Sequence, residues 1–258
     1  MDEIDNLILY YLLQDGRMTQ RLIARNIGIS AQTLNYRITK LAEEGVIKNF
    51  SVHANSVLYG EITAFAAFQS DNEINSDFFM KINCLEKITL YGVVGRNSEE
   101  LKTKILKMSK ELGEPVMTYN PNMINYQPNS TSIDLLIVEQ MRKMPKAKLS
   151  DIARSLNLPA IRVKRRYNYL VKNKLIKVIP LLDLSKINSV IFAIFSKNTD
   201  LVEPLLSNSI ILKIGDENSG IFICFGDNMA ASKAIINRVR EVEKESDIMV
   251  VYDYDFLK

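Results

Sequence analysis

The sequence predicts an α+β chain in which two winged helix-turn-helix modules alternate with two ferredoxin-like βαββαβ sandwiches, the first of them trimmed. Three observations carry this: an ungapped internal repeat, matching helix-start signals in its two copies, and a βαββαβ order of apolar runs in the last 80 or so residues. Sliding the chain by 129 positions places Ile4-Asp5-Asn6-Leu7-Ile8 on Ile133-Asp134-Leu135-Leu136-Ile137, and the match runs ungapped to Lys48 over Lys177. About a dozen of about 46 positions are identical, among them Ile23-Ala24-Arg25 over Ile152-Ala153-Arg154, Arg37 over Arg166 and Leu41 over Leu170. Beyond the repeat, the segment Phe65 to Phe68 resembles Phe192 to Phe195. The expected organisation is a winged helix-turn-helix at 1–60, a trimmed sandwich at 61–128, a second winged helix-turn-helix at 129–180 and a full sandwich at 181–258.

Each winged module reads as three helices and a hairpin. Asp2 and Thr131 stand three residues before Asp5 and Asp134, a capping-box start, and Ile4, Leu7, Ile8, Tyr11 and Leu12 follow at helical spacing. Thr19 caps a second helix with Leu22, Ile23 and Ile27 inward; Gly28 ends it with a residue that accepts positive φ, and Asn157 takes that place in the second copy. Ser30 caps a third helix, Ala31 to about Glu44, with Leu34, Ile38 and Leu41 facing the core and Val163, Tyr167 and Leu170 as their counterparts. Ala24 and Ala153 are small where two helices must cross. The segments after Gly45 and Lys174 read as wing strands. In the sandwiches, strands are expected at Ile62 to Gln69 and Val190 to Ser196. The second then continues with a helix to Leu206, strands at Ile210 to Ile214 and Ile221 to Phe225, a helix from Met229 to Glu243 and a strand at Ile248 to Tyr254. In the first sandwich Lys87 to Gly95 must serve where the second has two strands and a turn, so it looks trimmed by a hairpin.

Composition narrows the function. With 258 residues, 47% hydrophobic and 24% charged, the chain has the apolar material of one large or two ordinary domains, which excludes disorder as its dominant state. No uncharged apolar run approaches the roughly 18 residues that cross a bilayer, and the acidic opening after Met1 is unlike a secretory signal, so a cytoplasmic location without membrane contact is expected. Cys84 and Cys224 lie in apolar stretches with no neighbouring Cys or His and read as buried thiols. The one histidine, His53, reads as an ordinary surface or half-buried residue, and neither a dinucleotide fingerprint nor a phosphate-binding loop occurs. No cofactor, metal or catalytic group is expected. The charge is uneven: residues 132–178 carry twelve basic and three acidic side chains, while residues 1–60 balance and both sandwiches are net acidic, within a total of +3. Seven cations of the second module, Arg162, Lys164, Arg165, Arg166, Lys172, Lys174 and Lys177, follow one another with no acid among them, a footprint that points to nucleic acid.

The motifs Asp-x-x-Asp-x-x-Ile-Leu at 2–9, Leu-Ile-Ala-x-x-Ile-Gly-Ile-Ser at 22–30 and Ile-x-x-Leu-x-Glu-x-Gly-Val-Ile at 38–47 resemble the DNA-binding half of the Lrp/AsnC transcription regulators. In that family one such half joins one βαββαβ domain, the RAM domain, which dimerises and binds small molecules, often amino acids, near the turn between its second and third strands. Here the resemblance covers nearly the whole chain twice, which implies an intrachain pseudo-dimer, or a homodimer of tandems, that binds double-stranded DNA. The resemblance places the third helix of each module in the major groove, implicating Gln32, Thr33, Asn35, Tyr36, Arg37 and Lys40 in the first and Arg162, Lys164, Arg165 and Arg166 in the second. Gly215-Asp216-Glu217-Asn218 loosely resembles the family's effector turn, for an amino acid or another small metabolite; an ordinary β-hairpin accounts for it equally well.

Two other readings share the architecture. Sirohaem decarboxylases resemble the same family in both halves and act on a tetrapyrrole, but their chemistry needs basic side chains, usually with a histidine, in the RAM domains, which here are acidic and histidine-free. A sensor or adaptor without DNA binding fits the neutral first module but not the basic second.

Overall fold

The computed structural model of the protein describes residues 1–70, 72–74, 77–120, 130–215 and 218–256. The first module is built from α1 (Glu3–Gln14), α2 (Gln20–Ile27), α3 (Ala31–Glu43) and β1 (Ile47–Ala54). Its helices begin where the side chains dictate: Asp2 and Asp5 form a capping box, Thr19 accepts from the Leu22 N–H and Ser30 from the Thr33 N–H, each satisfying a backbone donor the helix leaves free. Gly28 turns the chain between α2 and α3 at φ +81°, and Asn157 does the same in the second module at φ +52°. Ile8, Leu12, Ile23, Ala24, Leu34 and Leu41 form the core, while Leu7, placed inward by periodicity, is 38% exposed.

Further along come β2 (Ile62–Phe68), β3 (Met80–Cys84), β4 (Ile88–Gly95), α4 (Ser98–Leu112) and β5 (Met117–Tyr119). The expected loss of a hairpin is overturned, because β3 and β4 pair antiparallel from Met80 opposite Gly92 to Cys84 opposite Ile88. What the first sandwich lacks, among the described residues, is a helix between β2 and β3, where α8 stands in the second. The alternation of β3, Met80, Ile82 and Cys84 buried with Lys81 and Asn83 less so, is a strand signal too short and polar to stand out in the sequence.

The second module comprises α5 (Ser132–Lys143), α6 (Leu149–Ser155), α7 (Ala160–Lys172) and β6 (Ile176–Leu182), and the second sandwich β7 (Val190–Ser196), α8 (Thr199–Leu206), β8 (Ile210–Gly215), β9 (Gly220–Gly226), α9 (Met229–Val242) and β10 (Asp247–Phe256). Neither module closes a hairpin of its own. Instead the two wings pair with each other, β1 antiparallel to β6 with Val52 opposite Val178 and His53 opposite Lys177. Each wing is a single strand, so the other module supplies the backbone partners it requires.

The sandwiches share one eight-stranded sheet in the order β5-β2-β4-β3-β10-β7-β9-β8. Both halves have the same strand sequence, and they join because β10 is long: its first residues pair with β7 and, past an irregularity between Val251 and Asp253, its last pair with β3. Helices α4, α8 and α9 cover one face of the sheet, over Phe68 and Tyr91 in one half and over Phe192 and Phe222 in the other. The opposite face, with Phe65, Met80, Ile191, Ile223 and Val251, packs toward the wings and the first module. Tyr119 on β5 donates a 2.7 Å hydrogen bond to the Ser219 carbonyl beside β9, so the two ends of the sheet approach one another.

Candidate nucleic-acid interface and inter-module cavity

On α7 the side chains of Arg162, Lys164 and Arg165 are exposed and form no ion pair among the described residues. Beside them Ile161 is 81% exposed, an apolar side chain that no core claims and that charge counting overlooks. On α3, Gln32, Thr33, Asn35, Tyr36 and Lys40 are exposed, Tyr36 by 68%. Thr33 shares a 2.8 Å hydrogen bond with Ser30, Asn35 accepts from Gln20 at 3.1 Å and Lys40 lies 3.8 Å from Glu44, so Gln32 and Tyr36 are the least engaged of the set.

Arg37 and Arg166 are placed differently. The Arg37 guanidinium lies 2.8 Å from carboxylate oxygens of both Asp2 and Asp5, and Arg166 donates to Asp134 through Nε at 2.8 Å and Nη2 at 2.5 Å. In both copies the arginine of the third helix ties it to the start of the first, where the capping carboxylate sits. These charge-assisted bonds raise both arginines above their ordinary pKa, and they hold Asp2 below the usual carboxylate range together with the Asp5 N–H, the larger cause there. The common separation of 32 residues between Asp5 and Arg37 and between Asp134 and Arg166 is the sequence signal that marks them as partners.

The two modules are fixed to each other. Arg17, in the α1–α2 loop, donates to the carbonyls of Pro145 and Ala147 at 2.7 and 2.8 Å and lies 5.4 Å over the Tyr167 ring, while Lys146 returns a hydrogen bond to the Gly16 carbonyl.

Between the wing pair and the facing sheet lies a cavity of about 1220 Å³. His53 of β1, Lys177 of β6 and Arg142 of α5 reach it, and the effector-turn residues Gly215 and Asn218 stand on its border; Asp216 and Glu217 lie outside the described residues. A search confined to the sandwiches misses these basic groups, because the winged modules supply them across the fold. Cys84 and Cys224 are free, buried thiols, both pushed up to about 12 by burial. Among the described residues there is no cluster of His, Cys, Asp and Glu fit to hold a metal, and no helix is long and apolar enough to cross a membrane.

A capped three-helix unit with an exposed third helix and a wing strand defines a winged helix-turn-helix protein. Residues 1–48 match the winged helix-turn-helix DNA-binding family. The HTH-type transcriptional regulator FL11 of Pyrococcus furiosus is 31% identical over 113 residues, covering 39% of this chain and 75% of that one. The HTH-type transcriptional regulator LrpA of Mycobacterium tuberculosis is 27% identical over 108 residues, 41% of this chain and 72% of that one. The chain belongs to the Lrp/AsnC family and is a DNA-binding transcription regulator. Among solved structures, the siroheme decarboxylase NirDL aligns over 98% of this chain and 92% of its own at 11% identity and a TM-score of 0.48, a likeness too loose to carry an activity across.

Proposed function

We propose that this regulator is a tandem duplication whose two winged modules act as an intrachain pair on duplex DNA, in the cytoplasm and without catalysing a reaction, and that they divide their work. The observation that carries the reading is the row of exposed, unpaired cations Arg162, Lys164 and Arg165 on α7. Cations of this kind neutralise phosphates and give affinity that falls steeply with salt, whatever the sequence. The α3 surface offers Gln32, Asn35 and Tyr36 with little charge, side chains suited to base edges. Ile161 adds an apolar contact of the kind a thymine methyl accepts. Arg37 and Arg166 then act by holding the third helices in place. A small metabolite bound beside Gly215 and Asn218 would modulate the pair.

Replacing Arg162, Lys164 and Arg165 with Ala should weaken binding to every duplex and flatten the salt slope by roughly 0.9 for each phosphate no longer neutralised. Replacing Gln32 and Asn35 should narrow the gap between target and random DNA by about 1 to 3 kcal/mol for each base they read, with little change in slope. Target DNA comes from a genomic footprint at two salt concentrations. Intact affinity in the triple variant, with all binding abolished in the double, would reverse the roles.

One observation favours a second reading, a tetrapyrrole enzyme. Basic side chains and a histidine do face a cavity bordering the RAM sheet, contributed by the winged modules. Decarboxylation of an added sirohaem, followed by product mass, tests it; an unchanged tetrapyrrole leaves the regulator alone.

A further inference from the structure

The inner wall of the cavity gathers three nitrogen-bearing side chains from three elements. His53 and Lys177 are opposite one another in the wing pair, so their side chains leave the same face. Arg142 reaches the same space from α5 and lies 5.6 Å over the Tyr59 ring, with its Nε buried and without a hydrogen-bond partner. Lys177 donates to the Ile211 carbonyl, a neutral acceptor that leaves its charge unbalanced. The His53 ring stands 5.5 Å from Phe79 and 6.0 Å from Phe256, so apolar surface adjoins the cations.

Carboxylates are near but engaged or apart. Glu203 is paired with Lys213, while Asp15 accepts only the Arg17 backbone N–H, at 2.8 Å, and its charge partly offsets the effect of burial on Lys177. Glu61 on the opposite border forms no ion pair among the described residues, and neither do Arg142, Lys177 or the exposed Lys174. Cations partly withdrawn from water with no carboxylate in direct contact are costly, and the cost is relieved when an anion enters.

We propose that this cavity binds an organic carboxylate, its anionic group between Arg142 and Lys177 and its apolar body against Phe79 and Phe256. The volume, about 1220 Å³, accommodates a drug-sized or larger ligand. The cationic groups come from the wing strands and α5, and Gly215 and Asn218 of the β8–β9 turn border the same cavity. The proposal is independent of DNA binding and shares its cavity with the enzyme reading, without requiring that any reaction be catalysed. Burial and the nearby positive charges of Lys177 and Arg142 push His53 down to about 4, and burial lowers Lys177 to about 8 against the smaller opposing effect of Asp15.

The test uses the full chain with two probes of one shape, 1-naphthaleneacetate and its uncharged amide. His53 is the only histidine in the sequence, so its imidazole signals in a proton–nitrogen spectrum report from inside the site without assignment. The carboxylate should bind at least tenfold tighter than the amide, move the His53 signals to saturation and raise the His53 pKa by at least one unit. R142Q and K177Q should each remove the preference for the carboxylate while leaving the amide unchanged. Equal affinities, no saturable binding up to millimolar carboxylate, or a His53 signal that stays still at saturation would overturn the proposal. If a variant fails to fold, the two probes on the unaltered chain decide it. DNA binding is measured separately, and its failure would leave this result standing.

Discussion

Arg37 and Arg166 occupy the same position in the two copies, yet their surroundings set different energies. Asp134 is fully buried and bound by Arg166 twice, so removing the guanidinium leaves a carboxylate in the core without its counter-ion. R166A should cost about 3 to 5 kcal/mol. Arg37 instead faces Asp2, 53% exposed, and Asp5, 16% exposed, carboxylates that keep contact with water, so R37A should cost less, about 1 to 2 kcal/mol. Urea denaturation of the two variants side by side checks the contrast; equal losses would mean that burial of Asp134 does not matter. His53 makes a second prediction at this scale. Its folded pKa, about 4, lies below the ordinary 6.5, so between those values the unfolded chain binds more protons than the folded one. The contribution of His53 should therefore be flat above about pH 6.5 and fall as the pH drops toward 4, by about 2 kcal/mol at pH 5. Most carboxylates have yet to titrate at pH 5, so H53N should abolish the loss between pH 6.5 and 5, read as a shift of the urea midpoint.

At the scale of elements, the β1–β6 pair and the Arg17 clamp hold the winged modules together. R17A removes two charge-assisted hydrogen bonds to backbone carbonyls, worth about 1.5 to 3 kcal/mol each. Hydrogen exchange should quicken in residues 16–18 and 145–147 while the amides of α3 and α7 keep their protection; uniform change would indicate general destabilisation instead. Much at this scale is legible in the sequence. The caps at Asp2, Thr19 and Ser30, the positive φ of Gly28 and Asn157 and the buried faces of α3 and α7 follow from local chemistry, and the structure has them. The missing information is non-local. Nothing in Ile47 to Ala54 says that its partner lies at Ile176 to Leu182, because a strand's alternation fixes its faces and not its neighbour. For the same reason the arginines Arg37 and Arg166 read as groove residues until their carboxylate partners are seen, and His53 reads as ordinary until Lys177 and Arg142 stand beside it. The exposed set on α3 and α7 is legible because exposure there is the default of an amphipathic helix.

For the whole molecule, the same strand order occurs in both halves of the large sheet, and the two halves meet at one continuous seam, β3 with β10. The chain from Met1 to Tyr119 therefore leaves two strand edges, β1 and β3, whose partners come from the other half. Fragments 1–130 and 131–258, made separately and mixed, should recover a one-to-one complex with the circular dichroism of the intact chain. Two fragments that each fold and stay apart would mean that the seams contribute little.

The late position of β10 also bears on how the protein is made. When a ribosome has released the first 120 residues, β3 presents an unpaired edge, and β1 is a strand with no partner; both wait until residues near 182 and 256 have emerged. At the usual pace of about 5 to 20 residues per second, that wait lasts from several seconds to about half a minute. Contacts this distant in sequence also form slowly. A nascent half-chain is thus exposed to pairing with its neighbours on the same message, and yield should depend on translation speed across 131–256 and on chaperone supply, more than on the stability of the finished protein.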